Sequence, residues 1–439
     1  MNYYLAIDIG STSGRHIVGW EENGELQQQE VYRFPNGIDS QNGRFTWNIE
    51  RLYQEVINGI RYAFQRYPEI RSLSIDTWGT DYVLMNGENE ILPCFAYRDP
   101  RTEEAALKVH EIIPYHEIYH RTGYQYGAYN TIYQLYSDKL TGRLEYATDF
   151  LMMPEYLLYR LSGVKKKEIT ENSTTSLINP YTGEFDLELT RILDLPDILF
   201  PKLSSPGTVL GMLKPDVAEQ VGGNCKVVFC ATHDTESAIS AITMEQDQIF
   251  ISSGTWSLLG VRIDEPIKSK AGGIAGFSNE VGLEYICYLT NITGMWIAEQ
   301  LRKELCPGDC FDVIVEQARV SGYRELFDPG LPQFATPESM AGAISEYMKE
   351  KNRPLPKTVG DFFSSAYHSL ASTYQRAITA LENVTGESYE KIYITGGGAK
   401  NSFLNQLTEE YTGKHVIAYP MEASTAGSIK VQMKTDDWE

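Results

Sequence analysis

Two short turns rich in hydroxyl side chains separate apolar segments about 240 positions apart. This repetition constrains the fold more than any other feature of the chain. The first turn runs Asp8-Ile9-Gly10-Ser11-Thr12-Ser13-Gly14-Arg15, and the second runs Ile251-Ser252-Ser253-Gly254-Thr255-Trp256. Apolar, β-rich segments on both sides of each turn predict two strand-turn-strand units. Their recurrence predicts a duplicated fold whose two similar halves face one another.

The composition of the first turn suits the binding of an anion. Successive backbone N–H groups in a Gly/Ser/Thr turn form a concavity that binds anions, hydroxyl groups add donors, and Arg15 offers a forked cation for phosphate. A Walker A loop or a Rossmann fingerprint needs its glycine-rich turn to open a helix, and the sequence contains neither motif. An ordinary polar hairpin accounts for this segment equally well when it is taken alone.

The length of the chain exceeds what one hydrophobic core supports. With 439 residues, 42% of them apolar, we expect two domains of roughly 200 residues, 1-206 and 207-439, with a ligand cleft between them. The formal net charge is -21, and the basic residues form no run longer than Lys165-Lys166-Lys167. A surface for nucleic acid or an acidic membrane is therefore not expected.

The ends and the cysteines of the chain indicate a cytoplasmic protein. No secretory signal precedes the first strand, and no apolar run approaches the ~20 residues of a transmembrane helix. Six cysteines are scattered, and of these Cys306 and Cys310 are close in sequence without a second pair or a nearby histidine. We therefore expect free thiols rather than disulfides or a metal site.

Strands and helices alternate along the chain. Apolar residues at helical spacing predict a helix from Asn48 to Arg66, after three strands. Shorter apolar runs predict strands at Leu73 to Ile75, Lys226 to Cys230 and Asp247 to Ser252. A further helix is predicted from Ser237 to Thr243. This alternation favours an α/β fold.

Polar groups follow three of the predicted strands, where an α/β sheet presents its ligands. The segment Asp76-Thr77-Trp78-Gly79-Thr80-Asp81 offers carboxylates and an aromatic face, which suit a sugar, although a plain turn is the alternative. Asp234 follows the second strand and is either a functional carboxylate or a helix cap. Gly396-Gly397-Gly398 leads into a helix and allows close approach of a ligand.

Together these segments resemble the FGGY family of carbohydrate kinases over nearly the whole chain. The resemblance implies an α/β fold of duplicated actin-like, ribonuclease H-like ATPase domains with an interdomain cleft, the first domain mainly for sugar and the second mainly for nucleotide. The matching segments are Asp8–Arg15, Asp76–Asp81, Tyr97–Thr102, Asn130–Leu135, Leu151–Pro154, Thr232–Thr235, Ser252–Leu258 and Asn291–Gly294.

Arg98–Thr102, Asn130–Leu135 and Ser253–Ser257 narrow the resemblance to the branch of the family that acts on L-rhamnulose. They imply ATP-dependent phosphorylation of the 1-hydroxyl of L-rhamnulose, giving L-rhamnulose 1-phosphate and ADP, by a monomer or homodimer. Kinases for L-fuculose or D-xylulose and a non-catalytic sugar or nucleotide sensor are the alternatives.

Residue roles also follow from the resemblance. Asp234 is the expected catalytic base. Asp8 is a plausible Mg²⁺ ligand, since Mg²⁺ takes one or two carboxylates plus phosphate oxygens and water, with a buried turn carboxylate as the alternative. The residues expected to bind sugar are Gly79, His233, Asp234, Thr235 and Asn291, and those expected to bind ATP are Ser11, Thr12, Ser13, Gly14, Arg15, Thr255, Glu299 and Gly398.

Some positions depart from the family pattern. Glu299 stands where a nucleotide-contacting Gln is usual, so we expect weaker nucleotide binding. Near the end, Glu422 to Ile429 resembles the final helix of the family, but Ser428 and Lys430 are atypical. We also expect the short second domain to lower thermal stability, with a melting temperature below about 55 °C.

Overall fold

The computed structural model describes residues 1–244, 248–419 and 423–437. Two six-stranded sheets lie at the centres of two lobes, and each sheet packs against helices through its own hydrophobic core. Within the described ranges, no helix has the length and apolar character needed to cross a membrane. Glu422 of the final motif and Asp247 of a predicted strand lie outside the described residues.

The strands of the first part of the chain are β1 Tyr3–Ile9, β2 Ser13–Glu22, β3 Glu25–Pro35, β4 Asp39–Gln41, β5 Arg44–Trp47, β6 Ile70–Thr77, β7 Tyr82–Asn86, β8 Asn89–Glu90, β9 Cys94–Phe95, β10 Asp149–Met152, β11 Ile178–Asn179, β12 Glu184–Phe185, β13 Val209–Met212 and β14 Lys226–Val228. Those of the second part are β15 Ile249–Ser253, β16 Trp256–Ile263, β17 Ser278–Val281, β18 Ile286–Thr293, β19 Lys391–Thr395 and β20 His415–Ala418.

The α-helices are α1 Ile49–Arg66, α2 Arg101–Ile112, α3 Tyr115–Thr122, α4 Thr131–Leu140, α5 Met153–Ser162, α6 Ile169–Asn172, α7 Leu187–Ile192, α8 Pro215–Val221, α9 Asp234–Ala241, α10 Lys270–Ala275, α11 Trp296–Leu305, α12 Phe311–Ser321, α13 Met340–Glu350, α14 Val359–Thr385, α15 Ser402–Thr412 and α16 Ala423–Asp437.

Five strands of each large sheet share one topology, whereas the sixth strands, β13 and β17, lie at opposite edges. In the first, the order is β13-β14-β6-β1-β2-β3, with β1, β2 and β3 antiparallel and with β6 and β14 parallel to β1. In the second, β15, β16 and β18 are antiparallel neighbours, and β19 and β20 run parallel to β15. This repetition confirms the predicted duplicated α/β fold.

Local sequence explains the first unit. Asn23 and Gly24 both have positive φ, 55° and 80°, which the tight turn between β2 and β3 requires. Asn48 caps α1 by accepting a hydrogen bond from the N–H of Arg51 at 2.9 Å. Buried residues along one face of α1 then pack on the sheet. The predicted helix therefore forms where its apolar spacing placed it.

The last described helix, α16, covers the first sheet. Ile429 packs with Tyr4 and Ile17, and the side-chain amide of Gln432 donates to the carbonyl of Leu5 at 3.1 Å. The helix also packs along α9. The C-terminal segment of the chain thus connects the second lobe to the first.

The predicted domain division after residue 206 falls within the first sheet. Strands β13 and β14 follow that position, and β14 pairs in parallel with β6. The division stays a prediction, and this pairing favours a boundary further along the chain.

Candidate active site

A cavity of about 320 Å³ lies in the cleft between the two lobes. Both hydroxyl-rich turns open into it, together with the ends of β6, β14 and β19. Its lining residues are Asp8, Gly10, Ser11, Thr12, Ser13, Arg15, Trp78, Gly79, Thr80, Tyr97, Tyr124, Tyr129, Thr174, His233, Asp234, Thr235, Ala238, Ser252, Gly254, Thr255, Trp256, Leu258, Glu280, Asn291, Gly396, Gly397, Ala423 and Ser424.

Strand pairing brings the sequence motifs to one edge of the first sheet. Asp8 on β1 lies beside Asp76 on β6 in the parallel register. The N–H of Thr77 donates to the carbonyl of Thr232 at 2.9 Å, which joins the end of β6 to the segment before α9. The carboxyl ends of neighbouring parallel strands meet at the same edge, so Asp8, Gly79 and Asp234 face one cavity.

The two hydroxyl-rich turns are closed in similar ways. The N–H of Gly10 donates to the carbonyl of Ser13 at 2.9 Å, and the N–H of Gly254 donates to that of Trp256 at 2.8 Å. Backbone amides and hydroxyls of both turns line the cavity. Two polar turns on opposite lobes can therefore surround one anionic ligand.

Asp234 is the first residue of α9, and 35% of its side chain is exposed, within the cleft. His233 occupies the N-cap position of α9, so the alternative role of Asp234 as the cap residue is wrong. The Thr235 hydroxyl donates to Asp234 Oδ1 at 3.2 Å. Burial raises the pKa of Asp234 above its usual range, although the charge of His233 opposes that shift. A carboxylate of this kind suits a proton acceptor in a cleft.

His233 lies between two carboxylates. Its Nδ1 is 3.1 Å from Glu280 Oε2, and its Nε2 is 3.6 Å from Asp234 Oδ1. Burial favours the neutral ring, but the nearby charges of Glu280 and Asp234 outweigh burial and raise the pKa of His233 to about 9. This shift favours the imidazolium form of His233 at neutral pH.

Asp8 is nearly buried at the bottom of the first turn. Its Oδ2 accepts hydrogen bonds from Arg15 Nε at 2.8 Å and from the Ser424 hydroxyl at 2.6 Å. Burial, together with the charges of Asp8 and Asp234, raises the pKa of the neighbouring Asp76 well above its usual range.

This crowding of carboxylates fits a divalent cation at the cavity edge. Among the described residues, no three side chains of His, Cys, Asp or Glu stand close enough to hold a metal by themselves. Mg²⁺ usually takes one or two carboxylates, with water and phosphate oxygens completing the shell, so Asp8 fits such a site when phosphate is present.

The part of the cavity around the residues expected to bind sugar holds more aromatic side chains than the motifs predicted. Gly79 lines it, and a Cβ at that position would meet Thr174 Oγ1 at 2.9 Å. Asn291 Oδ1 is buried without a hydrogen-bond partner within the part of the chain that the structure describes. The aromatic residues that line the cavity are Trp78, Tyr97, Tyr124, Tyr129 and Trp256.

Asp81 does not belong to the cavity. Its carboxylate accepts hydrogen bonds from the indoles of Trp47 and Trp78 at 2.6 and 3.0 Å, and it is fully buried. Asp76 is also fully buried and does not line the cavity. The expectation that the carboxylates of this motif contact a sugar is therefore wrong for both.

Three of the predicted ATP-binding residues do not line the cavity. A Cβ at Gly14 would lie 2.1 Å from the Phe34 ring, and a Cβ at Gly398 would lie 2.0 Å from Ser253 Oγ, so both glycines permit close packing. Glu299 lies on α11 and accepts a hydrogen bond from Arg302 Nε at 2.9 Å. Their contact with nucleotide stays a prediction.

Family models match almost the whole chain. The model of the N-terminal domain of the FGGY family of carbohydrate kinases matches residues 3–240, and that of the C-terminal domain matches residues 249–435. The chain belongs to the FGGY family. This agrees with the expectation from the motifs and with the duplicated topology.

Curated relatives and solved structures extend the comparison. A rhamnulokinase of Oceanobacillus iheyensis is 38% identical over 438 residues, which cover 99% of this chain and 93% of the relative. A rhamnulokinase of Halalkalibacterium halodurans is 36% identical, with 98% and 93% covered. A ligand-bound xylulose kinase of Lactobacillus acidophilus has a TM-score of 0.79 at 16% identity, covering 100% of this chain and 90% of that chain. The solved structure shares the fold.

Proposed function

We propose that this FGGY kinase transfers the γ-phosphoryl group of ATP to the 1-hydroxyl of L-rhamnulose, giving L-rhamnulose 1-phosphate and ADP. The observation that carries the proposal is the position of Asp234, a partly exposed carboxylate inside the cleft that both hydroxyl-rich turns face. Full-length similarity to proteins named rhamnulokinase supports the choice of ketose. Use of ATP also supports a cytoplasmic location.

Phosphoryl transfer asks the protein for alignment, charge stabilisation and one proton acceptor. In this proposal, Asp234 accepts the proton of the 1-hydroxyl as the oxygen attacks the γ-phosphorus, and ADP leaves. The side chains or backbone groups that orient the ketose are those of Gly79, His233, Thr235 and Asn291. The residues that contact the phosphates are Ser11, Thr12, Ser13, Arg15 and Thr255, while Gly14, Gly398 and Glu299 remain expected on the nucleotide side.

Asp8 would hold Mg²⁺ beside the phosphates, with Asp76 next to it in the sheet. When bound, Mg²⁺ would neutralise charge on the transferred phosphoryl group and on the leaving ADP. Arg15 and the Ser424 hydroxyl orient the Asp8 carboxylate. Exclusion of water depends on contact between the two lobes around the cavity.

Initial rates of ADP release test the substrate. With MgATP we expect the highest kcat/KM for L-rhamnulose in a panel that includes L-fuculose, D-xylulose and glycerol. Asp234→Asn should lower kcat by about 10² to 10⁴, the usual contribution of a general base, while calorimetry still detects ketose binding. Asp216→Asn, the same change in the first turn of α8, is the matched control.

Three outcomes contradict parts of the proposal. Preference for another ketose would reject L-rhamnulose as the substrate. Ligand binding without turnover for any member of the panel would reject catalysis and favour a sensor. Near-normal turnover of Asp234→Asn would remove Asp234 from the role of base.

A further inference from the structure

Strand β17 belongs to the second lobe and contacts the first lobe. It is the edge strand of the second sheet, where it pairs with β18. Its successive residues contact the segment from Gly123 to Gln125 of the first lobe. The N–H of Gln125 donates to Ser278 Oγ at 3.0 Å, and Asn279 Nδ2 donates to the carbonyl of Gly123 at 3.0 Å. The strand is thereby fixed to the opposite side of the cleft.

The next residue of β17, Glu280, continues this contact into the cavity. Its Oε1 accepts a hydrogen bond from the Tyr124 hydroxyl at 3.1 Å, and its Oε2 is 3.1 Å from His233 Nδ1. The Glu280 side chain is 2% exposed. Glu280 of the second lobe therefore contacts both Tyr124 and His233 of the first lobe, and His233 lies next to Asp234.

We propose that Glu280 is a positioning residue that reaches across the cleft from β17 and holds the His233 ring beside Asp234, so that contact between the lobes completes the catalytic base. The inference deepens the proposed function and rests on it, because Asp234 matters as a base in phosphoryl transfer. Glu280 acts through His233 and accepts no proton from the substrate.

Physical chemistry favours this role over a merely stabilising one. A buried ion pair gains little net stability, because the cost of removing two charges from water offsets their attraction. It does favour one geometry, since a carboxylate 3.1 Å from Nδ1 attracts the ring in the orientation that places Nε2 3.6 Å from Asp234 Oδ1. A cation at that position also favours the ionised form of Asp234.

The charged surroundings determine the direction of the expected change. Glu280 faces His233 from β17, and Asp234 and Glu236 face it from α9. Asp234 is in turn faced by Asp8, Asp76 and Glu171. Without the charge of Glu280, burial favours neutral His233, and Asp234 loses a neighbouring cation. The pKa of Asp234 then rises, so the ionised base is lost at a higher pH.

Glu280→Gln tests the proposal in the full-length protein. We expect the acidic limb of the kcat profile for L-rhamnulose to move upward by about one pH unit, with a fall in kcat of about tenfold on that limb. The KM values should change less than kcat. Glu284→Gln, the same change at an exposed position after β17, is the matched control and should behave as the wild type.

Nitrogen NMR of the His233 ring provides a readout that needs no turnover. We expect an imidazolium at pH 7.5 in the wild type and a neutral ring in Glu280→Gln, with the signal assigned by its loss in His233→Gln. Tyr124→Phe keeps the Glu280 charge and should retain the imidazolium. A neutral ring in the wild type would by itself overturn the proposal, so the test can fail even if Glu280→Gln does not fold.

Three results would overturn the inference. The first is a neutral His233 in the wild type at pH 7.5, and the second is an unchanged pH profile in a folded Glu280→Gln protein. The third is an increase in the KM for ketose alone, which would make Glu280 a direct sugar ligand. Absence of ketose phosphorylation by the wild type would instead reject the proposed function, while the NMR result would still report on Glu280.

Discussion

At the scale of single residues, the first turn combines an acidic and a basic side chain, Asp8 and Arg15, that both line the cavity. Arg15 donates from Nε to Asp8 Oδ2 at 2.8 Å, and 23% of its side chain remains exposed. A guanidinium can bind a carboxylate and a phosphate at the same time because it carries five N–H donors. Arg15 is therefore suited to connect Asp8 with a phosphate of ATP.

Arg15→Ala should raise the KM for ATP more than the KM for ketose. The change removes a phosphate donor and leaves Asp8 with less positive charge nearby, whereas the ketose side of the cavity keeps its contacts. Steady-state kinetics with each substrate varied in turn measure the effect. Arg33→Ala, on neighbouring β3 and 49% exposed in its pair with Glu30, serves as the control. A larger increase in the KM for ketose would assign Arg15 to the sugar side.

At the scale of elements, apolar patterns predicted the strands and helices whose buried residues are apolar. Strand β1 forms in the apolar segment before the first turn, and α1 follows the apolar spacing from Asn48. Helix α9 begins three residues before the predicted start at Ser237, because His233 takes the N-cap position and the polar side chains of Thr235 and Glu236 are buried. Burial of polar residues leaves no periodic signal in the sequence.

Strand β17 could not be predicted from an apolar pattern at all. Its residues Ser278, Asn279 and Glu280 are polar and buried, so no apolar pattern predicts a strand there. Cross-lobe hydrogen bonds compensate for their burial. Glu280 was missed for this reason, while Asp234 and Asn291 were found through motifs of the family.

The contact between α9 and α16 is close enough to be tested with one methyl group. A Cβ at Gly427 would lie 1.9 Å from the carbonyl oxygen of Ser237, a backbone atom that cannot move without α9. Gly427→Ala should therefore destabilise the protein by about 1–3 kcal/mol and lower kcat, because α9 carries Asp234. Urea unfolding and turnover measure the two effects.

A position without close neighbours provides the comparison. A Cβ at Gly308 would meet no atom within 4 Å, so Gly308→Ala should change neither quantity appreciably. Equal stability of Gly427→Ala and Gly308→Ala would contradict the tight packing of α16 on α9.

At the scale of the whole molecule, the sequence predicted two similar halves but not how they meet. The equivalent turns and strands correspond to motifs that recur within this one sequence, so the duplication could be predicted from it. The contacts across the cleft come from unrelated segments. Arg98 stacks on Trp296, with 4.8 Å from guanidinium to ring centroid, and Tyr129 lies 6.4 Å from Trp256 between ring centroids. These pairs join positions far apart in sequence and follow no local pattern.

Such contacts join the lobes at the cleft, and substrate binding commonly drives the closure of two-lobed enzymes. A compact chain of 439 residues has a radius of gyration of about 22 Å, and an open two-lobed form is larger. We expect X-ray scattering to show a smaller radius once L-rhamnulose and a non-hydrolysable ATP analogue are bound together. Arg98→Ala should weaken this compaction and change kcat and the KM values together, because it removes a cation–π contact between the lobes.

The control for this prediction is an arginine outside the cleft. Arg191 pairs with Asp197 on the surface of the first lobe and is 61% exposed. On binding of both ligands, the radius of gyration of the Arg191→Ala protein should therefore decrease as much as that of the wild type. If Arg98→Ala compacts fully and keeps wild-type kinetics, the stacking on Trp296 contributes nothing to closure. If ligands leave the radius of the wild type unchanged, closure is not driven by ligands, and the cross-cleft contacts, including that of Glu280, are present before substrates bind.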